Sequence, residues 1–246
     1  MPVLIGVTTA WSIETWGEES DKPGGVFYNP VHYTNVLYEN GALPFLVIPP
    51  VEINKDEDLQ AMAELTLDSV DALFMSGGGG NRRFKAPDMP GLKEQQPVRY
   101  RFETMLLKEA WKRRLPVIGA CRGHQMMIEA LGGTIKKETV TGHQFDDYTK
   151  TAHPVHIAER SRLGSLVGTE DWPVNSMHCQ VAETVPDFLK VAARSPEGYI
   201  EVIEAIDSVF WMGFQFHPEI MSVFDPKARK IIKAFVQEAQ AYAKSK

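Results

Sequence analysis

Short apolar runs rich in β-branched residues alternate with stretches of helical period through the first half of the chain. That alternation predicts a parallel sheet covered on both faces by helices. Residues 2–9 read as a buried strand, and no period describes residues 10–30, which are expected to be irregular. A helix follows over 31–40, with Pro30 preset at its first turn and Gly41 stopping it. Strands are predicted at 44–48 and 71–75 with a helix at 56–65 between them, and the second strand runs into Ser76-Gly77-Gly78-Gly79-Gly80, a loop by composition. Residues 77–98 form a loop long enough to be functional or disordered. Phe102, Met105, Leu106, Ala110 and Trp111 then mark a helix that closes on Lys112-Arg113-Arg114, basic residues favoured at a helix C-terminus. A strand is expected at 115–120. Later β candidates are 153–157, 189–193, 199–206 and 210–216, and an amphipathic helix over 226–243 starts behind the capping residue Asp225.

Length and charge narrow the picture. At 246 residues the chain corresponds to one large α/β domain or two small ones. No repeat, low-complexity tract or composition shift marks a linker, so a single domain over 1–246 is expected. The balance of 26 Lys plus Arg against 32 Asp plus Glu gives a net charge of −6, which disfavours a nucleic-acid partner. The N-terminus lacks a basic lead and an apolar stretch of signal-peptide length, and no run of about 18 apolar residues occurs. A cytoplasmic protein with no membrane partner is therefore the expectation, and a homodimer is compatible with it. A chain this long needs no staple, so its two cysteines invite a chemical reading.

Gly119-Ala120-Cys121-Arg122-Gly123-His124-Gln125, followed by a helical run to Leu131 and then Gly132-Gly133, places a glycine-flanked thiol between a strand and a helix. It is the thiol counterpart of the Gly-x-Ser-x-Gly elbow, in which small neighbours let the chain turn sharply and expose the reactive atom. The helix just after the thiol supplies unsatisfied N–H groups, and the N–H of Arg122 is placed as an oxyanion donor. A lone cysteine in an apolar strand is structural more often than catalytic. The flanking glycines and the strand-to-helix setting bring the nucleophilic reading level with that one. A base is available in Phe214-Gln215-Phe216-His217-Pro218-Glu219. If this segment is extended, as Pro218 encourages for the residue before it, His217 and Glu219 point to one face. Taken alone, His217 reads as a surface histidine beside a proline.

Together these two motifs resemble the class I glutamine amidotransferase family, whose Cys-His-Glu triad hydrolyses a γ-glutamyl amide. Residues 2–9, Ser76-Gly77-Gly78-Gly79, 99–103, Val174-Asn175-Ser176-Met177-His178 and the last helix resemble its stand-alone branch, the γ-glutamyl-γ-aminobutyrate hydrolase-like proteins of peptidase family C26. The resemblance implies a three-layer α/β sandwich with a central, mostly parallel, flavodoxin-like sheet. It implies Cys121 as nucleophile, His217 as general base and Glu219 as its orienter, with Gly78 and Arg122 as oxyanion donors. It places Gln125 on the γ-glutamyl head group and Met177, His178, Cys179 and Gln180 on the glutamyl α-amino and α-carboxylate groups. Gly80, Tyr100-Arg101 and Cys179 depart from residues common among relatives, which leaves the leaving amine open.

The substrate implied is a small γ-glutamylated amine, of the γ-glutamyl-γ-aminobutyrate or γ-glutamyl-polyamine type, with no cofactor and no metal. A mixed Cys/His metal site from Cys121, His124, His178 and Cys179 is disfavoured, because elbow and helix put the first pair on different elements and the second pair is adjacent. His153 and His156 lie three apart in a β-like run, face opposite sides, and read as solvated or singly bonded. The glycine run lacks the Lys-Ser/Thr continuation of a P-loop and reads as an oxyanion loop. Two other functions remain: a glutaminase subunit serving a separate synthetase, disfavoured because no synthetase shares this chain, and a non-catalytic γ-glutamyl sensor, disfavoured by the intact triad. Two loops are candidates for reading the amine. One is acidic and aromatic (Trp11, Glu14, Trp16, Glu18, Glu19, Asp21) and the other basic (Arg82, Arg83, Lys85). Both read equally well as solvated lids.

Overall fold

The computed structural model describes residues 2–14, 24–50, 53, 55–78, 90–145 and 147–246. The chain opens with β1 (Val3–Thr8), the hairpin β2 (Ala10–Glu14) and β3 (Gly24–Tyr28), α1 (Val31–Glu39) and β4 (Ala42–Val47). It continues through α2 (Asp56–Ser69), β5 (Ala72–Met75), α3 (Leu92–Gln95), α4 (Pro97–Lys112), β6 (Val117–Ala120) and α5 (Arg122–Glu129). Then come β7 (Thr134–Ile135), β8 (His153–Ile157), α6 (Arg162–Val167), β9 (Asp171–Val174), β10 (Ala182–Thr184) and β11 (Leu189–Arg194). The last elements are β12 (Ile200–Ala205), β13 (Trp211–Phe214), α7 (Pro218–Met221) and α8 (Pro226–Ser245).

The central sheet runs β4-β1-β5-β6-β13-β12-β11-β8-β9. Its first five strands are mutually parallel and the rest are added antiparallel. β1, β5, β6 and β13 are nearly continuous hydrophobic runs, as burial on both faces requires, whereas the edge strand β4 leaves Leu43, Phe45 and Leu46 exposed. One face packs Val7, Phe74, Ile118 and Phe214 against α1 and α8, through Leu37, Ile231 and Phe235. The other packs Leu73, Met75, Val117 and Trp211 against α2, α4 and α5, through Leu67, Leu106 and Met127. The fold is therefore the three-layer sandwich with a mixed, mostly parallel central sheet that the sequence predicts.

Two expectations are corrected, besides the loop expected over 77–98, whose described end forms α3 and opens α4 at Pro97. Residues 10–30 are not irregular throughout: Ala10–Glu14 pairs antiparallel with Gly24–Tyr28, in register from Ala10↔Tyr28 to Glu14↔Gly24. The driving contact is cross-strand, Trp11 edge-on to Phe27 with centroids 5.0 Å apart, and a pattern read along one strand does not carry it. The second correction concerns 210–216. The strand ends at Phe214, and Pro218–Met221 is a helical turn with Pro218 at its first position, so His217 and Glu219 do not share a strand face. The short elements β7, α6, β9 and β10 carry too few residues for a period to show.

α8 is the main cover of the first face. Phe235 is fully buried, edge-on to Phe74 at 6.1 Å and tilted on Phe210 at 5.8 Å. Phe235→Ala is expected to destabilise the fold by about 3–5 kcal/mol through lost burial and the cavity left behind, measured as a shift in the urea unfolding curve at constant slope.

Candidate active site

The site grows out of three adjacent parallel strands. β6 pairs with β5 on one side and β13 on the other, so the loops that leave their carboxyl ends lie side by side, where open α/β sheets place their ligands. β5 delivers Ser76-Gly77-Gly78, β6 delivers Cys121 and β13 delivers His217.

Cys121 sits at φ +51°, ψ −108°, one of two non-glycine residues with positive φ among those described. A β-carbon is strained there, and the surroundings hold it. Its N–H donates to Phe214 O at 2.7 Å and its carbonyl accepts Gln125 N–H at 3.2 Å, which starts α5. The glycines on either side permit the turn because α5 lies directly on the sheet backbone. A Cβ on Gly123 would stand 2.0 Å from Met75 O, and one on Gly119 would stand 2.8 Å from the Gly123 carbonyl carbon. The strand-to-helix elbow expected from the sequence is thus present.

Gly77 and Gly78 form the facing wall, with Gly78 at φ +79°. A Cβ on Gly77 would lie 2.8 Å from Tyr33 Oη, 3.1 Å from His217 Cε1 and 3.3 Å from Cys121 Cβ, so loop, thiol and imidazole meet around this residue. Arg99 clamps the loop from behind. Its Nη2 donates to Ser76 O at 2.8 Å and its Nη1 to Gly78 O at 3.1 Å. Arg99 Nε is bonded to Glu103 Oε1 at 2.7 Å, and the other oxygen of Glu103 takes Arg122 Nη1. All three side chains are buried. Burial alone would raise the Glu103 pKa, but the two guanidiniums outweigh it and hold the carboxyl below its usual range. The Arg122 side chain is thus committed to Glu103 while its backbone N–H stays at the head of α5.

His217 and Glu219 meet although the helical turn replaces the expected strand: Nδ1 lies 2.6 Å from Oε1. Asn175 fixes the His217 backbone, accepting its N–H at 2.9 Å and donating to its carbonyl at 3.4 Å. Burial works to lower the His217 pKa, but Glu219 and Cys121 prevail and push it up to about 10. Tyr33 closes the group. It accepts Gly77 N–H at 2.8 Å, and burial followed by the charge of Glu219 raises its phenol pKa, keeping it protonated.

The residues assigned to the head group divide. Gln125 Nε2 donates to Gln180 O at 2.9 Å and to Gln215 Oε1 at 3.1 Å, while Gln95 Nε2 donates to Gln180 Oε1 at 2.8 Å, so Gln125 and Gln180 share one network. Cys179 is half-buried, and burial, then the proximity of Cys121, raises its thiol pKa. Met177 bridges to Gln144. His178 Nε2 faces Glu201 Oε1 at 3.5 Å, in a buried group with His143 and His153. His124 is buried inside α5, where burial takes its pKa down to about 3. Of the two loops proposed to read the amine, Trp11 is placed in β2 with its carbonyl accepting Gln96 Nε2 at 2.8 Å, and Glu14 lies in the same strand. Trp16, Glu18, Glu19, Asp21, Arg82, Arg83 and Lys85 lie outside the described residues.

Tyr33, Gln95, Glu201 and Gln215 were not singled out from the sequence. Tyr33 belongs to the apolar face of α1 with Val36 and Leu37 and reads there as core.

A strained thiol at a strand-to-helix elbow, a clamped glycine loop and a buried His-Glu pair, all beyond the carboxyl ends of neighbouring parallel strands, define a class I glutamine amidotransferase-like architecture. Two solved structures share the fold across nearly their whole length. A putative GMP synthase component from Thermoplasma acidophilum aligns with a TM-score of 0.62 at 19% identity, covering 100% of this chain and 98% of that one. A glutamine amidotransferase of Thermotoga maritima aligns at 0.60 and 14% identity, covering 98% and 97%. The Peptidase C26 family model matches residues 3–219, and the chain belongs to that family. It is 32% identical over 235 residues to a putative glutamine amidotransferase of Mycobacterium tuberculosis, covering 91% of this chain and 70% of that protein. It is 25% identical over 230 residues to the γ-glutamyl-γ-aminobutyrate hydrolase of Escherichia coli K12, covering 87% of each. These likenesses support a hydrolase.

The elevated His217 pKa has a consequence that can be measured. A folded value near 10, above the ordinary histidine value of about 6.5, means that the pair's contribution to stability is complete below about 6.5 and is lost as pH rises through about 10. Imidazole NMR is expected to show His217 protonated at neutral pH with a midpoint near 10, and Glu219→Gln is expected to lower that midpoint. A wild-type midpoint near 6.5 would contradict the ion-pair reading.

Proposed function

We propose that this protein hydrolyses the γ-glutamyl amide bond of a small amine and releases glutamate, acting through Cys121, His217 and Glu219. The observation that carries the proposal is Cys121, held at positive φ against a His217 that is bonded to Glu219 at 2.6 Å and pushed up to about 10. An imidazolium beside a thiol favours the thiolate, the nucleophilic form.

The thiolate attacks the amide carbonyl carbon, and the resulting oxyanion is received by the backbone N–H groups of Arg122 and Gly78. Arg99 keeps the second donor from drifting by holding the carbonyls of the glycine loop. His217 gives its proton to the leaving amine as the C–N bond breaks, leaving a γ-glutamyl thioester on Cys121. A water then loses a proton to His217 and attacks the thioester, the C–S bond breaks, and glutamate leaves with the thiolate restored. Glu219 keeps Nε2 of His217 aimed at these reacting atoms by binding Nδ1. Gln125 and Gln180 are the groups proposed to meet the glutamyl head, with Met177, His178 and Cys179 in the adjoining segment.

A glutaminase supplying ammonia to a separate synthetase is the second reading, supported by relatives whose names say glutamine amidotransferase. Purified protein assayed alone for free glutamate separates the two. Release from γ-glutamyl-γ-aminobutyrate or γ-glutamyl-putrescine exceeding that from glutamine supports the hydrolase, whereas glutaminase activity appearing only with an added partner supports the other. Cys121→Ala is expected to lower kcat by about 1,000-fold or more with the fold intact by circular dichroism. Retained activity would end the nucleophile assignment. If loop charge selects the amine, kcat/KM for the putrescine and γ-aminobutyrate adducts will differ, and equal values would refute that selection.

A further inference from the structure

Next to the proposed catalytic residues, and taking no part in the chemistry above, His143, His153, His178 and Glu201 converge from four separate segments. One ligand-type atom from each lies within 4.8 Å of all the others. Glu201 comes from β12 and His153 from β8. His143 and His178 come from two connecting segments whose backbones are paired, His178 N–H donating to His143 O at 3.0 Å. Glu201 is fully buried, His143 and His178 nearly so, and the His153 side chain is 11% exposed.

The hydrogen-bond arithmetic of this cluster does not close. Both carboxylate oxygens of Glu201, both ring nitrogens of His178, Nδ1 of His143 and Nε2 of His153 are buried without a hydrogen-bond partner. Buried polar atoms of this kind are rare, because leaving even one unmet costs about 1–3 kcal/mol. The tautomers sharpen the conflict. Nδ1 of His153 lies 3.0 Å from Pro154 O, which can only accept, so a proton sits on Nδ1, and in the neutral ring Nε2 then turns a lone pair toward Glu201 Oε1 at 3.8 Å. Nε2 of His143 faces the Glu197 carboxylate at 3.5 Å, so a proton there leaves the Nδ1 lone pair facing Glu201 Oε1 at 3.7 Å. His178 Nε2 stands 3.5 Å from the same oxygen. With neutral imidazoles and an ionised Glu201, acceptors converge on acceptors, at separations too long for hydrogen bonds between them.

We propose that His143, His153, His178 and Glu201 bind a divalent transition metal ion, with zinc as the best fit. Three imidazole nitrogens and one carboxylate oxygen form a nitrogen-rich set that suits zinc and its neighbours, whereas magnesium and calcium want oxygen ligands. Zinc–ligand bonds of about 2.0–2.1 Å in a tetrahedron put ligands about 3.3 Å apart. The observed 3.5, 3.7 and 3.8 Å to Glu201 Oε1 contract to that on small side-chain movements. One outer-shell partner is already in place, Pro154 O on Nδ1 of His153, and the Glu197 carboxylate lies 3.5 Å from Nε2 of His143, where it can take that N–H once the ring turns to a metal, as partners of metal-bound histidines do. Four protein ligands in a buried setting make a closed, structural site. It would tie β8, β12 and the two connecting segments together, one of which carries Asn175, the residue that grips His217.

The test uses tag-free protein purified without chelator and does not depend on the proposed hydrolysis. Elemental analysis after dialysis, or zinc titration of the stripped protein followed by calorimetry, is expected to give about one ion per chain. Cobalt in place of zinc is expected to give visible absorption bands of a tetrahedral centre. Zinc is expected to raise the Tm of the parent protein. Glu201→Gln and His153→Ala are each expected to weaken zinc binding at least tenfold and to abolish that rise. In a metal-free network the result for Glu201→Gln would be the reverse, since the amide could donate to an imidazole lone pair and would match or raise the parent's Tm with zinc present. Absence of zinc and cobalt binding by the parent at micromolar concentration, or unchanged binding in both variants, overturns the proposal.

Discussion

One buried carboxylate, that of Glu103, holds together the two halves of the site. On one side it binds Arg99, whose remaining donors fasten the carbonyls of Ser76, Gly77 and Gly78. On the other it binds Arg122, the first residue of the helix behind Cys121. Two cations and one anion out of water are tolerable only when paired, and removal of the shared partner would strand both guanidiniums in the interior. The loop wall and the elbow are therefore not independently adjustable. Their spacing, which the proposed chemistry requires, is set by a charge cluster that never touches substrate.

A second constraint is steric. α5 can lie on the sheet only because Gly119 and Gly123 have no side chains, and that close approach is what turns Cys121 into its strained conformation. Strain at a reactive residue persists where the surroundings over-determine it, and here the Phe214 carbonyl, the helix start and the β5 backbone do so together. The same glycines that mark the motif in sequence are the ones the packing cannot replace.

Those glycines explain what sequence reading could see. A strand, a glycine-flanked thiol and a glycine-stopped helix are local signals, and the elbow and parallel core appear where they place them. The partnership of His217 and Glu219 was also legible, but by the wrong route: alternation suggests one strand face, and Pro218 instead opens a helical turn that brings the two together. The β2–β3 hairpin escaped because Trp11 and Phe27 stabilise it across strands. The histidine cluster escaped for a related reason. His153 reads singly as bland, His178 is assigned to the head group, His143 stands in no motif, Glu201 sits in an apolar strand, and only the sheet order makes them neighbours. Tyr33 and Asn175 gave no sign of the polar atoms they contact, because hydrogen bonds between distant segments leave no periodic trace.

The backbone row across β12, β13 and β6 bears on how such a protein can change its substrate. Glu201 O takes Gln215 N–H at 2.8 Å, and Phe214 O takes Cys121 N–H at 2.7 Å, so the groups proposed to react ride on a lattice with no hinge between them. Changes that leave that lattice untouched are then confined to the rim. The β2–β3 hairpin is one such place: Ala10 and Tyr28 border Gly78 yet belong to a separate two-stranded sheet. Changes in the hairpin can therefore reshape the border of Gly78 while the sheet keeps the spacing of thiol, imidazole and carboxylate in this chain.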